Sequence, residues 1–547
     1  MHSVDSRRPK TVVKSLLVAA TLAGTILTTV GVGGVPIRGD ADRIPISASG
    51  VVHAIASETP VELEIGRIDG VVVLGGVRAP GLRVTGGGPS TTVRVDGDIN
   101  IDAMLEIEID GHLEIDTSAS GRRIRVEAGE GLSVAVSALR LADTPGAPVH
   151  LRSGGDLVLE GRDLIDVDAL DDHATRIASG ADLILRSARP VRGDAHWRAG
   201  RDLRIETLDG RPGNLVSPKD PVVLSTRNVT MGAYTGASLH ILAGGSVATG
   251  AIEITGTDGA ANTIGPGNTV AFNGTDTFAD LADLVLSDGT PVVVDGAARA
   301  TLDIRAGIDW SSFSGGPPVP DDRIVPGGSV SPTFSSPVAS ADIVLGSVVV
   351  TVAEGVVLLT NRYCPNAALT GAIETDGVST LTNTDGSDGG DIWIDSKADV
   401  VVPELFSYSQ SSTTGGASGS GGSVSVIADG DLVTTSVITL ANSLNGTAGN
   451  GGAVSLRIGG TLVGNPTITA SSWSHTGSGN GGDVIVDARG PMAVNGVYSE
   501  SLITGTGTAG NGGAVSVLAR AAGGVNGGEP LTVYEVVTGS GPVAGTG

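Results

Sequence analysis

The residues of this chain that could do chemistry are few and scattered. Asn383-Thr-Asp-Gly386 puts one carboxylate, Asp385, in a short polar turn. Paired carboxylates stand at Asp171-Asp172 and Asp321-Asp322. Two carboxyls held roughly 6.5–9.5 Å apart would serve as acid and base in an inverting glycosidase. Both pairs precede Asp385, however, and 321–322 lies in a proline-rich stretch. A turn of Asn, Thr, Asp and Gly is the simpler reading. The eight histidines, His2, His53, His112, His150, His173, His196, His240 and His475, have no metal-ligand spacing. His150, His173 and His196 recur at equal intervals. A stacked ladder on one face, or solvated loop positions, is preferred to a metal site.

Asp385, Asp388 and Asp391 offer three carboxylates in seven residues, and calcium takes six to eight oxygens. The calcium-binding nonapeptide does not recur, so these read as solvated turn aspartates. No Gly-x-Ser-x-Gly elbow supports a nucleophilic serine. The single cysteine, Cys364, excludes an internal disulfide framework and a cysteine zinc site. Arg122-Arg123 and Arg186, Arg192, Arg198 and Arg201 are the one basic concentration past the N-terminus. Asp194 and Asp202 interleave with them, which reads as a solvated face. With 34 basic and 59 acidic residues the net charge is −25, which argues against nucleic acid as a partner. The residues therefore assign no catalytic site, no metal and no cofactor.

The elements that would position these residues are legible from composition and repeats. Of 547 residues 84 are glycine and only 14 (four Trp, five Tyr, five Phe) are aromatic, while 40% are hydrophobic. Disorder is excluded by that apolar share. A core with so few aromatics must be narrow. Gly-Gly pairs stand at 389–390, 421–422, 451–452, 481–482 and 512–513, at a nearly constant interval. Each precedes an alternating segment, such as Ala453-Val-Ser-Leu456 or Asp483-Val-Ile-Val486, that predicts a strand with one buried face. A looser unit recurs at Gly154-Gly-Asp-Leu-Val-Leu159, Gly180-Ala-Asp-Leu-Ile-Leu185 and Gly200-Arg-Asp-Leu-Arg-Ile205. Period-2 strands separated by Gly and Asn corners, with no 3.6 period, predict an all-β chain. The expected fold is a right-handed parallel β-helix (β-solenoid) with coils of about 20–32 residues.

The expected organisation has four parts. Residues 1–35 carry the basic, apolar and small-residue order of a signal peptide. Residues 36–310 read as a degenerate β-helix whose start could be a divergent secretion domain. Residues 311–340, with six prolines, are a Pro/Ser/Gly-rich loop or linker. Residues 341–547 are a β-helix with Gly-Asn-Gly-Gly repeats of about 30–32 residues. No stable membrane span is expected beyond the signal.

The units at 449–456, 479–486 and 510–517 resemble the Gly-Asn-Gly-Gly repeats of filamentous-haemagglutinin-like, two-partner-secretion bacterial exoproteins. Tyr234–Val247, Ile254–Asp258, Ser287–Thr290 and Leu302–Trp310 resemble the same group. The resemblance covers about 150–547. It implies a secreted or outer-membrane-associated adhesin. Its partners would be a host-cell, matrix or glycan receptor and an outer-membrane secretion pore. The only Asn-Pro of the chain is Asn465-Pro466, inside a repeat. A polysaccharide-active β-helix enzyme is the alternative. For it, Asn383-Thr-Asp385 resembles the motif of polygalacturonase-like glycosidases, without their Gly-His-Gly; the one later histidine is His475. A purely structural spacer is the third reading.

Overall fold

The computed structural model describes residues 27–30, 43–46, 52–117, 122–144, 146–168, 176–257, 263–270, 276–313, 341–520 and 530–542. They form an all-β chain with two short 3-10 turns, built around one 45-stranded sheet wound as a parallel β-helix.

Three strand columns make the three faces. On the first face Ile124–Ala128, Val149–Ser153, Arg176–Ser179, His196–Ala199 and Val222–Ser225 pair in parallel succession. The column goes on through Leu239–Ala243 and Thr301–Arg305 to Val515–Ala519. The second face includes Leu183–Ser187 on Leu203–Glu206, and the third includes Glu404–Ser411 on Ser436–Ser443. Gly131–Ala142 and Leu157–Asp168 each bend round a corner and serve two faces, with a register shift between Val136 and Ala138. The one antiparallel pairing of this sheet among the described residues is Leu27–Val30 on Val52–Ala56, within the segment read as a signal.

Alternation decides what goes inside. Val126, Leu151, Ile177, Trp197, Val223, Ile241, Ile304 and Leu359 follow one another in register and are all buried. One apolar core runs from Ile44 to Val497. Val247–Ala248 and Ile252–Ile254 pair directly with Ile343–Val350. The coils before and after residues 314–340 are therefore direct neighbours in one sheet; residues 314–340 themselves lie outside the described residues.

In the C-terminal coils the interior turns polar. Ser407, Thr439 and Ser499 are fully buried, and each hydroxyl donates to a glycine carbonyl of the Gly-Gly arm, at Gly390, Gly452 and Gly482. These hydroxyls lie within the rod instead of laddering across its surface. The arm can sit this low only because it is glycine. A Cβ on Gly452 would fall 2.0 Å from the Gly422 carbonyl oxygen.

The recurrent Asp of the N-terminal unit and the Asn of Gly-Asn-Gly-Gly do one job. Asp156 accepts from the Asp182 amide (3.0 Å), and Asp202 from the Asn228 amide (3.1 Å). Asn450 accepts from the Asn480 amide and Asn480 from the Asn511 amide, each at 2.8 Å. At a corner the strand ladder stops, and a short side-chain acceptor satisfies the amide of the next coil.

One long excursion interrupts the coils of the degenerate β-helix read over 36–310. His240 and Asp303 are register neighbours 63 residues apart. The chain leaves the rod after Ile254 and folds back as a flap. Its described parts hold a 3-10 turn, Phe278–Leu281, and an antiparallel hairpin, Asp283–Val285 with Pro291–Val293. The flap covers outward residues of the first face, and a second apolar core forms there from Val222, Leu224, Leu242, Phe278, Leu281 and Leu358, among others. The physical cause is in the strands: Val222, Leu224 and Leu242 turn apolar side chains outward as well as inward, and the flap buries them.

Candidate functional site

Under the flap lies a buried polar network. His240, Asp303 and Arg305 are 0% exposed and Thr263 is 2% exposed. The Asp303 carboxylate takes Arg305 Nε and a terminal guanidinium nitrogen, both at 2.8 Å, and faces His240 Nδ1 at 3.2 Å. Burial acts to raise the Asp303 pKa. The Arg305 charge and the His240 hydrogen bond outweigh it and hold the carboxyl below its ordinary value. An ionised Asp303 can only accept, so His240 carries its proton on Nδ1. Nε2 shares a hydrogen bond with the Thr263 hydroxyl at 2.7 Å. Asp220 stands 3.9 Å from the same nitrogen. Arg305 also donates to the Leu281 carbonyl (2.7 Å) and lies 4.3 Å from the Tyr363 ring centroid.

Hydroxyl, imidazole and carboxylate stand here in the order of a nucleophilic triad. The hydroxyl is sealed beneath the flap and the carboxylate is held by Arg305, so no substrate reaches the group. What the arrangement does is fasten. Thr263 and the Leu281 carbonyl belong to the flap; His240, Asp303 and Arg305 belong to the sheet. Further ties are Ser238 Oγ to the Gly296 carbonyl (3.0 Å) and the Ser287 amide and hydroxyl to Asp395 (2.7 and 2.8 Å).

Of the described residues weighed from sequence as catalytic or metal-binding candidates, only His240 is brought to this site. Asp385 is an exposed turn residue whose carboxylate accepts from Ser411 Oγ (2.6 Å) and the Thr413 hydroxyl; both bonds lower its pKa. Asp388 and Asp391 accept the Ser420 and Ser423 amides of the next coil, at 2.7 and 3.0 Å. The three aspartates are thus coil-to-coil acceptors, and among the described residues no three His, Cys, Asp or Glu converge to hold a metal ion. Asp171, Asp172, His173, Asp321 and Asp322 lie outside the described residues. His475 is exposed beside Thr504. Cys364 sits half-buried against the flap core.

The equal histidine spacing does not produce a ladder. His150 pairs with Arg176, and Arg176 with His196, so the register steps are unequal, from 150 to 176 and from 176 to 196. Nor are the arginines one solvated face. Arg198 is buried on the first face. Arg186 lies between Glu160 (3.4 Å) and Glu206 (2.8 Å) on the second face, and Arg201 holds Asp156 and Asp182 there. Burial, together with Arg176, Arg125, Arg152 and Arg123, lowers the His150 pKa to about 3. Below its ordinary value of 6.5 the unfolded chain binds a proton that the folded chain refuses. Stability is then lost progressively as pH falls from 6.5 toward 3, by up to ~1.4 kcal/mol per pH unit. Urea midpoints between pH 7 and 5 should fall in the wild type and flatten in His150→Gln; parallel slopes would contradict this account.

Beside the hairpin is a cleft of about 130 Å³ lined by Leu286, Ser287, Arg362, Tyr363, Asp395 and Lys397. Lys397 donates to the Asn366 and Leu369 carbonyls (3.0 and 2.7 Å), and Arg362 reaches Asp395 at 3.3 Å. Its charged groups are held by the protein itself. No helix among the described residues is long and apolar enough to cross a membrane. Sequence reasoning missed the flap and its clamp, because their partners are 23 to 108 residues apart. The available signal was the unbroken apolar run in Val222–Ser225. Compared with protein-family models, with characterised proteins and with solved structures, the chain finds no match.

Proposed function

We propose that this chain is an exported bacterial surface or secreted protein of adhesin type, non-catalytic, that acts through the outer faces of an extended β-helix. The observation that carries the reading is the unbroken register of the first face from Ile124–Ala128 to Val515–Ala519. Such a rod repeats its outer side chains at about 4.8 Å per coil and offers reach and a long contact surface. Support also comes from the signal-like order of residues 1–35 and from the repeat resemblance at 449–456, 479–486 and 510–517. Asp385, Asp388 and Asp391 are engaged in holding coils together, which weakens the enzyme alternative.

The test is export and binding of the full chain. Expressed with its N-terminal segment in a bacterium with an outer membrane, the protein should be recovered at the surface or in the medium. Its new N-terminus should fall near 31–34, which would release Leu27–Val30 from its place beside Val52–Ala56. The purified rod should bind host cells or matrix saturably. Retention in the cytosol would overturn export, and export without any binding would replace the adhesin by the spacer.

A further inference from the structure

Residues 365–547 carry fifteen acidic side chains and four basic ones, Lys397, Arg457, Arg489 and Arg520. The coil register brings all four to one side of the rod. Ser396, Ala428, Ile458, Ala488 and Ala519 are successive partners on the first face. The next residues round the corner are therefore Lys397, Asp429, Gly459, Arg489 and Arg520. Their backbones stay in step, with the Asp429, Gly459, Arg489 and Arg520 amides donating to the carbonyls of Ser396, Ala428, Ile458 and Ala488. Arg457 stands beside them on its strand, between Ile427 and Asp487.

A cleft of about 600 Å³ runs along this corner. Arg457, Arg489 and Arg520 line it together with Asp429 and Asp487, and Ile427 and Ile458 lie buried beneath. Gly459 keeps the floor low, since a Cβ there would fall 2.1 Å from the Asp429 carbonyl oxygen. Three of the arginines along this side already hold carboxylates. Arg520 pairs with Asp487 at 2.6 Å, Arg457 with Asp288 at 3.4 Å, and Arg362 with Asp429. Arg489 is exposed and has no ion-pair partner among the described residues. The cleft itself is lined by three cations, Arg457, Arg489 and Arg520, against two carboxylates, Asp429 and Asp487. Its lining is net positive in a chain of −25.

We propose that the cleft binds an acidic polysaccharide of the polyuronate class, laid along the rod axis. This names the receptor chemistry of the adhesin reading and rests on it. Guanidinium groups match carboxylates by a two-pronged hydrogen bond. Exposed ion pairs such as Arg520–Asp487 contribute only about 0–1 kcal/mol, so a ligand carboxylate can take over a protein carboxylate's place. Arg489 and Arg520, one coil or about 4.8 Å apart, suit a polymer with one charge per sugar. A nucleic acid, with a charge every ~1.7 Å, calls for a longer run of cations than the three arginines of this cleft.

The experiment is binding of the purified full chain to immobilised polygalacturonate at low ionic strength, with heparin and a neutral glucan as separate arms. Saturable binding to polygalacturonate is expected, weakening with salt. Arg489→Gln/Arg520→Gln should bind at least tenfold more weakly, with an unchanged thermal midpoint because both side chains are exposed. Arg186→Gln/Arg201→Gln on the second face should bind as the wild type does. No binding to polygalacturonate, preference for heparin, or equal loss in both double variants would overturn the proposal. Wild-type binding to cells without binding to polygalacturonate sinks this inference and leaves the adhesin standing; the converse removes the adhesin and keeps the cleft.

Discussion

Gly482→Val is expected to force the C-terminal coils apart. A Cβ at Gly482 would fall 2.0 Å from the Gly452 carbonyl oxygen, a Cβ at Gly452 equally close to Gly422, and one at Gly422 2.2 Å from Gly390. The obstacle at each level is backbone, which cannot swing aside as a side chain would. The Gly482 amide also donates to the Ala470 carbonyl (2.7 Å), and its own carbonyl takes the buried Ser499 hydroxyl. Moving the arm would therefore strand polar groups inside the rod. The cost should exceed the ~3 kcal/mol at the upper end of ordinary overpacking. Guanidinium unfolding of the purified chain should give a clearly lower midpoint, and limited proteolysis should cut first within 449–486. Gly256→Ala is the control, because a Cβ there meets nothing within 4 Å. Equal midpoints for the two variants would refute close approach as the reason for the Gly-Gly pairs.

Arg305→Met should release the flap. It leaves Asp303 ionised and fully buried, removes the bond to the Leu281 carbonyl and empties the space beside the Tyr363 ring. Breaking a buried pair by removing one partner costs roughly 3–5 kcal/mol, because the remaining charge has no compensation. Adding Asp303→Asn removes that charge and should recover part of the loss. The readouts are the denaturant midpoint and protease cutting within 276–296. An unaltered flap in Arg305→Met would show that the apolar contacts of Phe278 and Leu281 hold it alone. The pH sign follows from the depressed Asp303 pKa. Its contribution is fully present above the unfolded carboxylate value of about 3.9 and is lost only as pH falls through the lower folded value. The clamp is thus indifferent to pH across the neutral range as far as Asp303 is concerned.

Much of the rod was legible because its rules are local. Val454-Ser-Leu456 and Val484-Ile-Val486 alternate, so one side of each had to face inward. The step between the Gly-Gly pairs at 451–452 and 481–482 equals the coil step from Leu456 to Val486. The Asp of the N-terminal unit was visible as a repeat, but its task, accepting the next coil's amide, appears only once coils stack. Histidine spacing misled for the same reason. Counting equal intervals from His150 ignores loops of unequal length, and the strand register sets Arg176 beside it instead.

By itself the sequence determined strand, corner, coil length and a thin aliphatic core, since each depends on residues within a few positions of one another. Only the tertiary structure decided what lies on the outside. A parallel coil sets side by side residues that are distant in the chain, and insertions change that offset from coil to coil. So it took the fold to bury His240 against Asp303 beneath a flap, and to gather Arg457, Arg489 and Arg520 along one cleft of an otherwise acidic rod.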